Sequence, residues 1–467
     1  MKHQVKITFL GAAGGVTGSK HLLQLGKKKI LLDCGFFQGR RLDAYRANSV
    51  LPPELNHLEA VILSHAHADH CCSLPLLVKN GYRGPIYTTP ATADIARLIM
   101  LDAAKIQAND YEYFRKIGVT EALKPIFDEQ DVNLVCQLFK TIPYHYPQKI
   151  NPNLTIEFFD AGHILGSAIT AIRYYDQTLL YTGDLGNLDL PILPDPELVT
   201  EEINTVICES TYGDREHLPT SQTYQEIKKI VIEAVNKKSR VLVPAFALGR
   251  TQNLIYILHK LYRDGEIPDI PVYVDSPLGN SITSLFDKYI NDFDQESWQE
   301  FLKDGQSPFS FRKLHYVSTV AESRSLNDKP GPLIIIASSG MLEGGRVVHH
   351  LKQDITNPRS TIVLTGFQAE HTLGRRLESG QKTVKFHEEE FTVKAQIVKL
   401  NTLSAHADQK NILNYLSQVK GLKNIFLVHG EPQSARTLAE KLRSQNPEVA
   451  VKIPYLGESV QLDWENN

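Results

Sequence analysis

Three histidines and an aspartate fall within six residues, His65, His67, Asp69 and His70, in the stretch "VILSHAHADHCCSLPLL". A tight turn after a buried strand can aim all four at one point. Imidazole and carboxylate are ligands that borderline divalent metals such as zinc accept. Three of these side chains complete one tetrahedral site only if every rotamer converges, and two metals need further ligands from elsewhere in the chain. Other strand-like segments end on suitable groups: His163 in "DAGHILGSA", Asp184 in "YTGDLGN" and His429 in "LVHGEP". A carboxylate such as Asp184 can bridge two ions, which sit about 3.5–4 Å apart in hydrolytic sites. A single histidine of this kind is ordinarily a hydrogen-bonded loop or core residue. The cluster with two more tip histidines and a tip aspartate points to a metal centre.

Such ligands need rigid elements behind them. In the first third, "VKITFLGA", "HLLQLG" and "KKILLDCG" read as short strands broken by Gly-rich turns, the last two at hairpin spacing. "LEAVILS" is a short buried strand ending just before His65. "LTIEFFDAGH", "TLLYTGDLG" and "INTVICE" are further strands with polar tips. From about residue 211 the texture changes. "SQTYQEIKKIVIEAVNKK" and "GRTQNLIYILHKLYRDG" carry helical periodicity. Between and after them come fully apolar strands, "RVLVPAF", "PVYVDSPL", "PLIIIASSG" and "TIVLTGF". That alternation implies a mostly parallel sheet flanked by helices. After about 399, polar-tipped strands return in "LSAHAD" and "NIFLVHGEP". An α/β unit over 211–398 is therefore expected inside a host domain formed by 1–210 and 399–467.

The 467-residue chain has the make-up of an ordinary globular protein, with a formal net charge of −3. Whole-protein electrostatics thus gives no sign of nucleic-acid binding, and a polyanion would have to be met by local basic groups or by metal. "MKHQVKITFL" lacks the features of a signal peptide, and no window approaches a membrane span, so no membrane partner is expected. Five cysteines, without the paired spacing of a thiolate zinc site, fit a reduced, cytoplasmic setting.

Taken together, "FLGAAGGVTGS", "DCGFFQG", "HAHADH", "GHILGSA", "TGDLG", "ESTYGDREH", "PAFALGRTQ", "VDSPL", "ASSGMLEGGR", "LSAHAD" and "VHGEP" resemble the metallo-β-lactamase superfamily. More specifically they resemble its β-CASP branch of nucleic-acid-processing enzymes, which includes bacterial and archaeal ribonucleases and the endonuclease subunit of the mRNA 3′-end cleavage factor. The resemblance covers nearly the whole chain. It implies an α/β fold, an αββα metallo-β-lactamase sandwich with an inserted β-CASP domain. It also implies two Zn2+ per chain, one held by His65, His67, His163 and Asp184. The other is held by Asp69, His70, His429 and the shared Asp184. Asp33 matches a motif aspartate that orients ligands from the outer shell. Two positions depart from the pattern: the family usually has glycine where this chain has Cys72 and His371. Neither is a ligand position, but Cys72 lies beside the metal cluster and His371 is a candidate to line the substrate channel.

Two zinc ions lower the pKa of a shared water toward neutrality and so provide a hydroxide nucleophile. Phosphodiester hydrolysis then needs charge stabilisation at the phosphoryl oxygens and a proton for the leaving alkoxide. Glu209 and His406, flanking the insert, are the candidates for the proton, and they resemble motifs that are hydrogen-bonded in the β-CASP branch. A glutamate beside the imidazole favours its protonated form. A buried pair that merely fixes the domain junction is the plainer alternative. By the resemblance, Asp69 also accepts a hydrogen bond from the bridging hydroxide. In "ASSGMLEGGR", Ser338, Ser339, Gly340 and the following amides sit between a strand and a helix, where a phosphate can be received. Arg250 and Arg346 are candidate phosphate contacts, although surface ion pairs are the commoner use of arginine.

The expected function is a zinc-dependent ribonuclease acting on single-stranded RNA in a cleft between host and insert. A DNA nuclease of the Artemis-like branch is the rival, but there an apolar residue replaces the histidine seen here as His429. A catalytically inactive RNA-binding scaffold is disfavoured because every ligand position is retained. No appended KH-type domain or long C-terminal extension is apparent, so a minimal two-domain member is expected. Endonucleolytic or 5′-exonucleolytic action, the RNA target and a homodimeric state stay open.

Overall fold

A computed structural model of the chain describes residues 2–118, 123–366, 368–369, 371–386, 389–400 and 403–465. It divides into two compact units, one of residues 1–188, 195–216 and 406–467, the other of 189–194 and 217–405.

The first unit is an αββα sandwich built on two seven-stranded sheets. One runs in the order Ser459–Glu465, Lys2–Phe9, His21–Leu25, Lys28–Leu32, Ala60–Ile62, Ile86–Thr88, Phe139–Thr141. The other runs Ala450–Lys452, Asn424–Val428, Thr205–Glu209, Gln177–Tyr181, Ala168–Tyr174, Leu154–Asp160, Gln148–Asn151. Alternation decides which side chains enter the core between them. Along Leu154–Asp160, every second residue is buried, and Ile156 and Phe158 meet Ile7, Phe9, Leu23 and Ile30 of the first sheet. Truncating one such residue, Phe158→Ala, should destabilise the unit by about 3–5 kcal/mol. The second sheet's other face, with Ala171, Leu180 and Val206, is covered by Ile412 and Leu416 of helix Gln409–Ser417 and by Leu438 and Leu442 of helix Pro432–Gln445.

Strands Leu154–Asp160, Gln177–Tyr181, Thr205–Glu209 and Asn424–Val428 all run in one direction, so their C-terminal tips share an edge. That geometry gathers distant polar residues. The reading of the first third as short strands overlooks a 27-residue helix, Pro90–Lys116. Its start is encoded by Thr89, whose hydroxyl accepts from the Thr92 amide, followed by Pro90 in the first turn.

The second unit carries a six-stranded sheet in the order Leu314–Tyr316, Val272–Asp275, Leu333–Ala337, Arg240–Pro244, Thr361–Leu364, Gln396–Lys399, with every pairing parallel. Its central strands are buried throughout, as a sheet covered on both faces requires.

The junctions differ from those expected. Residues 211–216 stay with the first unit because the Gly213 and Arg215 carbonyls accept from the Gln409 side chain and amide. Residues 399–405 stay with the second because Lys399 ends a paired strand and the Leu400 amide bonds Leu364 O. "LSAHAD" is no strand but a loop touching its neighbours by isolated bridges, Gly186 to His406 and Tyr212 to Asp408. Among the described residues, no helix is long and apolar enough to cross a membrane.

Candidate metal centre

The six-residue cluster follows strand Ala60–Ile62, and Ala68–Cys71 forms a single helical turn that starts at His67. Backbone bonds from Ser19, Cys34 and Phe36 to the carbonyls of Asp69, His70 and Ala68 clamp that turn. Gly35 is the price of their approach: a Cβ there would lie 1.6 Å from the Asp69 carbonyl oxygen. His163, Asp184 and His429 follow three of the codirectional strands, and Glu209 is the last residue of the fourth.

Four overlapping groups of possible ligand atoms result among the described residues: two of them join Asp33, His65 and His70, and Asp184, His406 and His429, and the other two combine the residues expected as ligands. His65, His67, His163 and Asp184 place one donor each within 4.8 Å of one another, and Asp69, His70 and His429 do the same. In the first, Nδ1 of His67 lies 3.1 Å from His65 Nε2 and 3.2 Å from His163 Nε2. In the second, His429 Nε2 is 3.4 Å from Asp69 Oδ2. Asp184 stands between the groups. Its Oδ2 is 3.3 Å from His65 Nε2 and 3.6 Å from His163 Nε2, while its Oδ1 is 3.5 Å from both His70 Nε2 and His429 Nδ1.

The donor set fits divalent cations. Burial drives His65 well below the ordinary imidazole range and His67 to about 3, so both carry lone pairs at neutral pH. His70 Nε2 and Asp184 Oδ1 are buried without a hydrogen-bond partner, a costly arrangement that a cation between them would relieve. Burial raises the Asp184 carboxyl despite the surrounding imidazoles. Burial alone would lower His70, but Asp184 and Asp33 raise it to about 10, so without a cation this ring supplies the positive charge itself. Burial would raise Asp69, yet the His429 bond and nearby imidazoles hold it below the ordinary carboxylate range.

Asp33 also lies near His65 and His70, but as an outer partner. Its oxygens are taken by the Ser64 amide and hydroxyl at 2.7 Å each, by His70 Nδ1 at 2.6 Å and by the Tyr181 hydroxyl at 2.5 Å. Cys72 is buried and belongs to none of the ligand groups found among the described residues.

His406 Nδ1 contacts Glu209 Oε1 at 3.1 Å and Oε2 at 3.0 Å, and Glu209 Oε1 also accepts from the Leu185 amide at 2.7 Å. Burial would lower the His406 imidazole, but Glu209 and Asp184 raise it to about 9. The ring lies 4.5 Å from that of His163 between centroids, and its side chain is 21% exposed where the clustered imidazoles His65, His70, His163 and His429 are nearly closed off. A protonated imidazole here is placed to give a proton to a group near the cluster.

In the second unit, the Ser338 hydroxyl meets Ser276 Oγ at 2.7 Å, and the Ser339 amide and hydroxyl both reach Gly344 O. Gly340 packs under the Phe246 ring. Arg346 directs its guanidinium to Asp275 at 2.6 Å and to the carbonyls of Val317 and Ser318. Arg250 opens helix Arg250–Arg263. His371 is exposed with φ of 70°.

Sequence reasoning passed over Ser64, Tyr181 and Thr211. The last holds His429 Nδ1 at 3.1 Å from its hydroxyl. Ser64 directly precedes His65, and Tyr181 is a hydroxyl at the end of a buried strand, which are the signals that could have found them.

Three family models match the chain: a metallo-β-lactamase superfamily domain over 22–189, a Beta-Casp domain over 251–377, and a Zn-dependent metallo-hydrolase RNA specificity domain over 390–454. The chain is 35% identical to "Ribonuclease TTHA0252" of Thermus thermophilus, over 98% of this chain and 100% of that one. It is 30% identical to "Transcription termination factor FttA" of Pyrococcus horikoshii, over 94% of this chain and 68% of that one. To the "RNase J-like protein" of Methanocaldococcus jannaschii it is 28% identical, over 93% and 94% respectively. A crystal structure of a protein of unknown function from Enterococcus faecalis shares the fold, with a TM-score of 0.55 at 13% identity over 98% of this chain and all of that one.

Proposed function

This chain belongs to the β-CASP branch of the metallo-β-lactamase superfamily, and from that premise we propose that it is a cytoplasmic ribonuclease that hydrolyses single-stranded RNA with two zinc ions. The observation that carries the dinuclear reading is Asp184, which turns one carboxylate oxygen to each ligand group. His65, His67 and His163 would hold one zinc, Asp69, His70 and His429 the other, and Asp184 both. The nitrogen and carboxylate donors suit zinc. When bound, the ions supply an acidified water and positive charge for phosphoryl oxygens.

The chain's own groups do the rest. Asp69, held ionised, accepts a hydrogen bond from the attacking water. Glu209 keeps His406 protonated, and His406 gives its proton to the departing alkoxide oxygen. The turn of Ser338, Ser339 and Gly340, with Arg250, is the proposed phosphate contact of the insert, and Arg346 supports it by fixing Asp275. The names of the relatives and the RNA specificity model over 390–454, which spans His406 and His429, favour RNA over DNA.

Matched end-labelled RNA and DNA, the RNA with 5′-phosphate or 5′-hydroxyl, test this at one salt concentration. Zinc-dependent cuts in single-stranded RNA, with little on duplex DNA, are expected, and mapping the products separates endonucleolytic from 5′-exonucleolytic action. DNA cleavage as fast as RNA cleavage would overturn the reading.

A further inference from the structure

Behind the ligands lies a chain of hydroxyls in the sheet-to-sheet core whose proton directions can be worked out. Asp33 is wholly buried and, as a carboxylate, accepts only. Ser64 gives its single hydroxyl proton to Asp33 Oδ2, so its oxygen is left to accept from His65 Nδ1 at 3.0 Å. Tyr181 also gives its one proton to Asp33, so its oxygen must accept from Ser19 Oγ at 3.2 Å. Ser19 in turn accepts from His21 Nε2 at 3.3 Å. This direction requires His21 Nδ1 to be a lone pair with no proton to place. That atom is indeed buried without a partner, the milder form of an unmet polar group. Burial holds His21 neutral, at about 3.

Every proton in the network therefore points toward Asp33. His70 donates there directly from Nδ1 at 2.6 Å, and His65 donates through Ser64. His65 and His70 face opposite oxygens of Asp184. One carboxylate thus sets a ring on each side of the bridging ligand.

We propose that Ser64, Tyr181 and Ser19 are positioning residues that act through Asp33 to lock His65 and His70 with the proton on Nδ1, so that each presents an Nε2 lone pair to its metal. The inference rests on the two-metal reading given above. Its physical content is a choice of tautomer: a ring protonated on Nε2 cannot ligate through that atom, and turning the ring would break a buried bond to Asp33 or Ser64. Losing outer partners of metal-bound histidines typically weakens metal binding by about 10–100-fold.

The test compares the wild-type protein with Ser64→Ala and Tyr181→Phe, both of which keep the local volume. Zinc retention against a chelator should fall by about 10–100-fold in each variant. The melting temperature of the metal-free proteins should fall little. Nitrogen-15 NMR of labelled histidine should show Nδ1–H on His65 and His70 in the zinc-loaded wild type, and on His65 in the metal-free wild type as well. Unchanged zinc retention in both variants would overturn the proposal. So would an Nε2-protonated His65 in the wild type, or a loss of zinc matched by equal unfolding of the metal-free variants. A wild-type protein that holds fewer than two zinc ions, yet shows Nδ1–H on His65, would count against the two-metal reading while supporting the network.

Discussion

Asp184 and Asp275 occupy equivalent places in two different sheets, at or just past the C-terminal tip of a strand, buried, with histidine close by. Their surroundings differ in one respect. Asp275 is fully provided for by the chain: Arg346 Nη1 and His350 Nε2 each lie 2.6 Å away, and Ser323 Oγ lies at 2.5 Å. Among the described residues, Asp184 has imidazoles around it but no guanidinium ion pair, and its Oδ1 has no hydrogen-bond partner. Burial pushes both carboxyls up. At Asp275 the three donors reverse this and the carboxyl ends below its ordinary range, whereas Asp184 ends above it. The same architectural position is thus closed by a fixed guanidinium in one unit and ringed by imidazoles, which a divalent cation can deprotonate and bind, in the other.

Removing the shared ligand is the harshest test of that contrast. Asp184→Ala should lower bound zinc from about two per chain to one or fewer and reduce RNA cleavage by more than about 10⁴-fold. Elemental analysis and single-turnover assays read both. Two zinc ions retained in this variant would remove Asp184 from its bridging place.

His406→Ala comes next. It should slow cleavage by about 10²–10⁴-fold while leaving zinc content as in the wild type, because its Nδ1 is held by Glu209. Glu209→Gln should act in the same direction by lowering the imidazole's proton affinity. Loss of metal in His406→Ala would make it a ligand instead, a possibility that its 3.9 Å approach to Asp184 gives a definite geometric meaning.

The tip residues that the structure brings together were legible in the sequence because each is a local event: an apolar run ends and a histidine or carboxylate follows. His65, His163, Asp184 and His429 could be found this way without knowing which strands are neighbours. The partners that orient them could not. Tyr181 reaches Asp33 across 148 residues of sequence, and Thr211 reaches His429 across 218. No local pattern records such a contact. The domain junctions were blurred for a related reason. Lys399 and Leu400 look like the start of the host segment until their pairing with Thr361–Leu364 is seen. The insert's parallel sheet was easier, since strands buried on both faces announce themselves as unbroken apolar runs.

Asp275 should respond to pH where a structural acid is expected to. Its folded-state pKa is depressed, so its contribution to stability is fully present above the unfolded carboxylate value of about 3.9 and is lost as pH falls through the lower folded value. Asp275→Asn should destabilise the metal-free protein by about 3–5 kcal/mol near neutrality, because it strands Arg346 and His350. The same substitution should flatten the acid limb of the stability curve below about pH 4. Chemical denaturation of metal-free protein across that range measures both. An acid limb of undiminished slope in Asp275→Asn would assign the acid sensitivity to other carboxylates.

Left-handed backbone occurs in both units and allows a finer comparison, residue by residue. Asp33 and His429 adopt φ of 58° and 48°, and His371 in the insert adopts 70°. Such a conformation is strained for any residue with a Cβ, by about 1–2 kcal/mol, and it persists where the surroundings fix it. At Asp33 and His429 the side chains make bonds that justify the strain. His371 is exposed, and glycine would relieve the strain there while adding freedom to the unfolded chain. His371→Gly should therefore stabilise the protein by about 0.5 kcal/mol, with zinc content unchanged. If the imidazole touches RNA, the same variant should raise KM without altering kcat. A destabilised His371→Gly would show that this side chain, like those of the metal centre, is held by contacts that outweigh its backbone strain.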